Sequence, residues 1–256
     1  MQIDNFIAVD IGNTTIEFAV FENNQITAKD YIASKPLNVE DIKNLAVNHK
    51  FKNAIFVVSS VVKANNEPLK IFLENTYSAK VLIIDSSTFN LSLKTENREI
   101  SSIGMDIIAK SEWAIHHKKN PCIIADVGTA TVVQYVDENG YMNKVAITLG
   151  LASIYKSLNI ITEALPLIEI KPTTSALGTD TITAMQSGIY WGYIGTIDSL
   201  ISKSIMETNC DNIFITGGLS KLILKDLTHK PRHDNNIIFE GIKVILHNNM
   251  DKINGK

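Results

Sequence analysis

The chain has 256 residues, 45% of them hydrophobic and 20% charged, with 24 Lys and Arg against 27 Asp and Glu. Those proportions suit a globular chain with a sizeable core, as one large or two modest domains, and exclude extensive disorder. The longest basic block is Lys118-Lys119, and no stretch approaches the roughly 18 apolar residues of a membrane span, so neither nucleic acid nor a bilayer is an expected partner.

In chain order, Phe6–Val9, Thr15–Phe21 and Ile26–Ile32 read as an antiparallel meander, the second pair joined by the turn-prone Glu22-Asn23-Asn24-Gln25. An amphipathic helix follows near Val39–His49, then an apolar strand at 54–58, a helix near Pro68–Tyr77 and a strand Lys80–Ile84. Helices alternating with buried strands imply parallel pairing covered on both faces. A helix near Ile103–His117 ends in the cationic cluster His116 to Lys119, which suits the negative end of a helix dipole. The cycle then restarts with strands Cys122–Ala125, Thr131–Val136 and Tyr141–Ile147, and helices at 153–163 and from Asp180 to Met206. The chain closes with a strand Asn212–Ile215, a glycine pair and helix, and a short strand and helix over 237–247. The expected domains are 1–118 and 119–256.

Two short stretches carry the chemistry. "DIGNTT" at 10–15 and "DVGTAT" at 126–131 each join the first two strands of a half, and Asp126 stands 116 residues after Asp10. A glycine in such a turn lets backbone N–H groups approach a phosphate, because no Cβ intervenes. Asn13, Thr14 and Thr15 add short donors, and Asp10 is placed to hold Mg²⁺ through water. A turn of this kind alone is more often an ordinary hairpin; two of them describe a nucleotide held between related lobes. Thr216-Gly217-Gly218-Leu219 ends a strand and would admit a flat ring against the backbone. Neither the Walker A loop nor Gly-x-Gly-x-x-Gly is present. Asp106 opens the helix at 103–117, as dipole partner or as a base for phosphoryl transfer. The dipole reading holds equally for Asp180. The six histidines lack metal spacing and read as solvated surface, and Cys122 and Cys210 have neither disulfide density nor ligand spacing, as in a reducing cytoplasm.

"DIGNTT", "GMD" at 104–106, "DVGTAT", "GTDT" at 178–181, "QSGIYWGYIG" at 186–195 and "TGGL" at 216–219 occur in an order and spacing that resembles type III pantothenate kinases over nearly the whole chain. That family, which also takes in regulatory proteins called Bvg accessory factors, belongs with acetate kinase, sugar kinases, heat-shock protein 70 and actin. The resemblance implies an α/β fold of two ribonuclease-H-like lobes, each a mixed five-stranded sheet whose first three strands are antiparallel, flanked by helices. It implies ATP-dependent phosphorylation of pantothenate, with Mg²⁺ and a monovalent cation (K⁺ or NH₄⁺), by a cytoplasmic homodimer.

Carried over by position, the resemblance makes Asp10, Ile11, Gly12, Asn13, Thr14, Thr15, Ile16 and Glu17 the first phosphate segment, with Thr129 an ATP contact and Gly217 and Gly218 near the base or ribose. Asp126 would bind the monovalent cation. Gly104, Met105, Asp106, Ile107 and Thr181 would contact pantothenate, Asp106 as proton acceptor. The family usually reads Gly-x-Asp-Arg, and Ile107 stands at the arginine, with Lys110 three residues on and spaced to face the same way. Two other readings follow from that departure: a nucleotide-binding relative acting through partners, and a kinase for another small hydroxyl substrate.

Overall fold

A computed structural model describes residues 3–96 and 98–255. The chain divides into two compact units, one made of 1–118 with 236–256 and the other of 119–235. The C-terminal segment therefore packs in the first unit, not in the second as its position in the sequence suggested.

In the first unit, β1 (Phe6–Ile11), β2 (Thr15–Glu22), β3 (Gln25–Ala33), β4 (Ile55–Ser60) and β5 (Lys80–Ile83) form a sheet in the order β3-β2-β1-β4-β5. β1 runs antiparallel to β2 and parallel to β4. Central β1 is buried along nearly its whole length and is correspondingly apolar, whereas edge strand β3 alternates between half-buried and exposed positions. α1 (Val39–Asn48) starts where Asn38 accepts from the Glu40 N–H, and packs Ile42 and Leu45 into the core. α2 runs Lys63–Tyr77, five residues ahead of the proline at which the sequence suggested it would begin. Pro68 removes one helix bond, but Leu69 and Leu73 on the same helix are buried, and that burial outweighs the loss.

α3 (Met105–His116) is buried along most of its length and packs on α7 (Ile237–Asn248). The two approach so closely that a Cβ on Gly241 would stand 1.9 Å from the Ala109 carbonyl oxygen. Buried Glu112 on α3 accepts from the Leu93 N–H at 2.7 Å and so ties down the preceding loop. The expected strand at the start of α7 is helix throughout, and α8 (Met250–Ile253) follows it.

The second unit repeats the plan. β6 (Cys122–Val127), β7 (Ala130–Val136), β8 (Lys144–Leu149), β9 (Ile213–Thr216) and β10 (Arg232–His233) lie in the order β10-β9-β6-β7-β8, with β6 antiparallel to β7 and parallel to β9. Both units therefore show the same mixed five-stranded sheet with an antiparallel first meander. β8 begins three residues later than the sequence suggested, because Asp137 Oδ1 accepts from the N–H groups of Asn139 and Tyr141 and holds them in the turn. α4 (Leu151–Ile161), α5 (Thr181–Thr208) and α6 (Ser220–Ile223) complete the unit. Asp180 caps α5 reciprocally with Thr183, which is the structural role of that aspartate. No helix among the described residues is long and apolar enough to cross a membrane.

Candidate active site

Parallel strands end on the same edge of a sheet, and polar residues at their carboxyl ends converge there. In the first unit Asp10 lies near the end of β1, in register with Glu17 on β2 and Ser59 on β4. The Ser59 hydroxyl donates to Asp10 Oδ1 at 3.1 Å. α3 brings Asp106 to the same place. Loss of water around Asp10 and the negative charge of Asp106 together raise the Asp10 carboxyl to about 7, against opposition from Lys110.

The local chain explains how Asp106 is placed. It occupies the second position of α3, where a carboxylate complements the helix dipole. Gly104 precedes the helix, and a Cβ there would lie 2.5 Å from Asp106 Oδ1. The absent side chain is what lets the carboxylate fold back over the helix start. On its inner side, Asp106 Oδ2 receives a charge-assisted bond from Lys110 Nζ at 3.3 Å.

The turn between β1 and β2 is tight: the Gly12 N–H donates to the Thr15 carbonyl at 2.9 Å. Asn13 and Thr14 are exposed at its tip, while Thr15 and Glu17 are half-buried. Ile11 and Ile16, expected in the phosphate segment, point into the core, so only their backbone remains for a ligand. Met105 and Ile107, expected beside the acceptor, are likewise buried.

In the second unit Asp126 occupies the position of Asp10, in register with Val132 and Thr216. Gly217 has φ +96, and a Cβ on it would meet the Val127 carbonyl oxygen at 2.5 Å and Asp126 Oδ1 at 2.6 Å. Gly218 beside it is exposed and faces open space. The structure thus joins Asp126 to the glycine pair. The Thr129 carbonyl accepts from the Gly150 N–H at 2.9 Å and the Ser153 hydroxyl at 2.6 Å, which pins the second turn. Beneath it Thr131 and Tyr193 share a hydrogen bond, and burial with the nearby charge of Asp126 pushes the Tyr193 phenol up to about 12. Thr181 is exposed in the first turn of α5.

Other sequence expectations change. His116 and His117 are exposed, but His229 and His233 bond to Ser202 and Ser220, and His247 to the Ile3 carbonyl, so these three are partly buried packing residues. Both cysteines are free and buried. Among the described residues no group of three or more His, Cys, Asp or Glu side chains is arranged to hold a metal. Sequence reasoning did not single out Ser59; its signal is a serine pair closing an otherwise apolar strand.

Comparison with known proteins bears on the fold and the family. A Sinorhizobium meliloti structure described as a putative 2-dehydro-3-deoxygalactonokinase matches with TM-score 0.58 at 12% identity, covering 98% of this chain and 97% of that one. A Campylobacter jejuni structure described as a putative Baf family transcriptional activator matches with TM-score 0.60 at 20% identity, covering 96% and 100%. At those identities the likeness establishes the fold alone. A type III pantothenate kinase of Ehrlichia canis is 31% identical over 255 residues, covering 94% of this chain and 95% of the relative. Residues 6–203 match the family model for type III pantothenate kinase, and the chain belongs to that family.

Proposed function

We propose that this protein transfers the γ-phosphoryl group of ATP to the terminal hydroxyl of pantothenate, yielding 4'-phosphopantothenate and ADP in the first step of coenzyme A biosynthesis, with Asp106 as the base. The acceptor oxygen forms a bond to the γ-phosphorus as the bond to the β,γ-bridging oxygen breaks, and the hydroxyl proton passes to Asp106. The observation that carries the reading is the approach of Asp106 to Asp10, two carboxylates brought together from an α3 helix start and a β1 strand end.

Asp10 suits Mg²⁺ held through water, since a hard cation there relieves the desolvation and negative charge that raise its pKa. The ion when bound neutralises charge on the phosphates. Asn13 and Thr14 at the exposed tip of the first turn suit phosphate contacts, and Thr129, Gly217 and Gly218 suit the remainder of the nucleotide. Asp126 suits a monovalent cation, K⁺ or NH₄⁺, with its single carboxylate near the Val127 carbonyl. Thr181 and Gly104 are the acceptor contacts. Exposed Ile147 and Leu149 on β8, with Ile160 and Ile161 at the end of α4, support a homodimer. The two free cysteines support a cytoplasmic setting.

The test is a coupled assay of ADP release with ATP, Mg²⁺ and K⁺, offering pantothenate and pantetheine in parallel. Turnover with pantothenate is expected. Turnover with pantetheine alone would reassign the acceptor, and turnover with neither would remove the kinase reading.

A further inference from the structure

Lys110 is a charge enclosed in the core of the first unit. Its side chain is 1% exposed, on a helix whose neighbouring positions Ile107, Ile108, Ala109 and Trp113 are all core residues. Lysine is almost never enclosed in this way without a partner, because burying an ammonium costs several kcal/mol. One partner is Asp106, one helical turn earlier, whose Oδ2 lies 3.3 Å from Lys110 Nζ while the aspartate itself stays 26% exposed. The pair therefore spans from core to surface, with its fixed end inside and its reactive end outside.

The two oxygens of Asp106 have different surroundings. Oδ2 is turned toward the buried ammonium, and Oδ1 is folded over Gly104, in the space a Cβ would fill. Without the inner anchor nothing about the second position of a helix selects that arrangement over other rotamers of a short carboxylate. The negative charges of Asp106 and Glu17 and the positive charge of Lys110 all reach Asp10. Ile107, next along the helix, is buried and supplies no charge.

We infer that Lys110 is a positioning residue of the phosphoryl-transfer centre, its ammonium fixing Oδ2 of Asp106 so that Oδ1 is presented to the acceptor hydroxyl. This rests on Asp106 being the base, as proposed above.

The experiment is a kinetic double-mutant cycle with pantothenate and ATP on the full chain, using Lys110→Met, Asp106→Asn and their combination, with Lys110→Gln as a milder variant that keeps a hydrogen-bond donor. A misplaced base of this kind costs on the order of 10–100-fold in rate. Lys110→Met is expected to lower kcat by about that factor with the ATP KM within about 2-fold, Lys110→Gln to fall between it and the parent, and Lys110→Met to cost nothing further in the Asp106→Asn background. The inference is overturned if Lys110→Met leaves kcat within about 2-fold of the parent, or if its cost is the same with and without Asp106. It is also overturned if neither Lys110 variant folds, since the ion pair would then be structural. A crippled Asp106→Asn with a silent Lys110→Met removes only this inference, whereas a fully active Asp106→Asn removes the base assignment itself.

Discussion

Asp10 and Asp126 occupy equivalent places in two equivalent sheets, yet their surroundings differ in kind. Asp10 is in register with Glu17 and Ser59 and is reached by the charges of Asp106 and Lys110. Asp126 is in register with Val132 and Thr216, with Gly217 against its carboxylate and the Tyr193 phenol close by. Duplication delivers a carboxylate to the end of the first strand twice. What α3 adds in one unit, and the glycine pair after β9 in the other, decides what each carboxylate can do. Under the function proposed above, the first would serve acid–base and metal chemistry, and the second would hold a ligand or a weakly bound cation.

If the two positions were interchangeable, neutralising either would cost alike. We expect instead that Asp10→Asn lowers kcat by about 10²–10³-fold, as loss of a group that organises charge in the transition state does. Asp126→Asn is expected to cost about 10-fold or less at saturating K⁺ and to appear as a raised K⁺ requirement, measured by titrating the salt at fixed ionic strength. Equal losses in kcat would erase the distinction.

Smaller effects separate the units through stability. Gly150→Ala would set a Cβ 1.9 Å from the Gly128 carbonyl oxygen, and we expect a loss of about 1–3 kcal/mol with a weakened ATP affinity, seen by denaturant unfolding and by the ATP KM. The smallest effect is in pH dependence. Because the Asp10 carboxyl is raised from 3.8 to about 7, the folded chain binds that proton more tightly than the unfolded chain does. The stability it contributes is fully present below the unfolded value and is lost as pH rises through about 7. Without Mg²⁺, melting temperatures should therefore favour Asp10→Asn over the parent progressively from acid to alkaline pH, by a few degrees. Adding Mg²⁺ should narrow the gap. A difference independent of pH would show that Asp10 is not held in that environment.

Much of this contrast was legible in the sequence, because the twin turns and the strand order around them are local signals. The period-2 and apolar runs of β1, β4, β6 and β9 mark buried strands, and the short polar turns after β1 and β6 mark their ends. What was not legible depends on distant contacts. Nothing near Ile237 says that α7 packs in the first unit, because its partners on α3, β1 and β4 are distant in sequence, the Gly241–Ala109 approach among them. The start of α2 was hidden by Pro68, whose local cost is outweighed by burial of Leu69 and Leu73. Spacing allowed Lys110 to face the same way as position 107, but its bond to Asp106 and its burial, which turns a surface ion pair into an anchored one, exist only once α3 is packed. The backbone-only roles left to Ile11 and Ile16 likewise follow from which face of β1 and β2 meets the core.

The most direct test of the central claim is the steady-state kinetics of Asp106→Asn with ATP and pantothenate. Asparagine keeps the size and one acceptor oxygen but cannot take the proton, so kcat should fall by about 10²–10⁴-fold while the KM for both substrates stays within a few-fold. A variant that turns over pantothenate as fast as the parent would contradict the account, since the carboxylate that α3 brings to Asp10 would then have no part in the reaction.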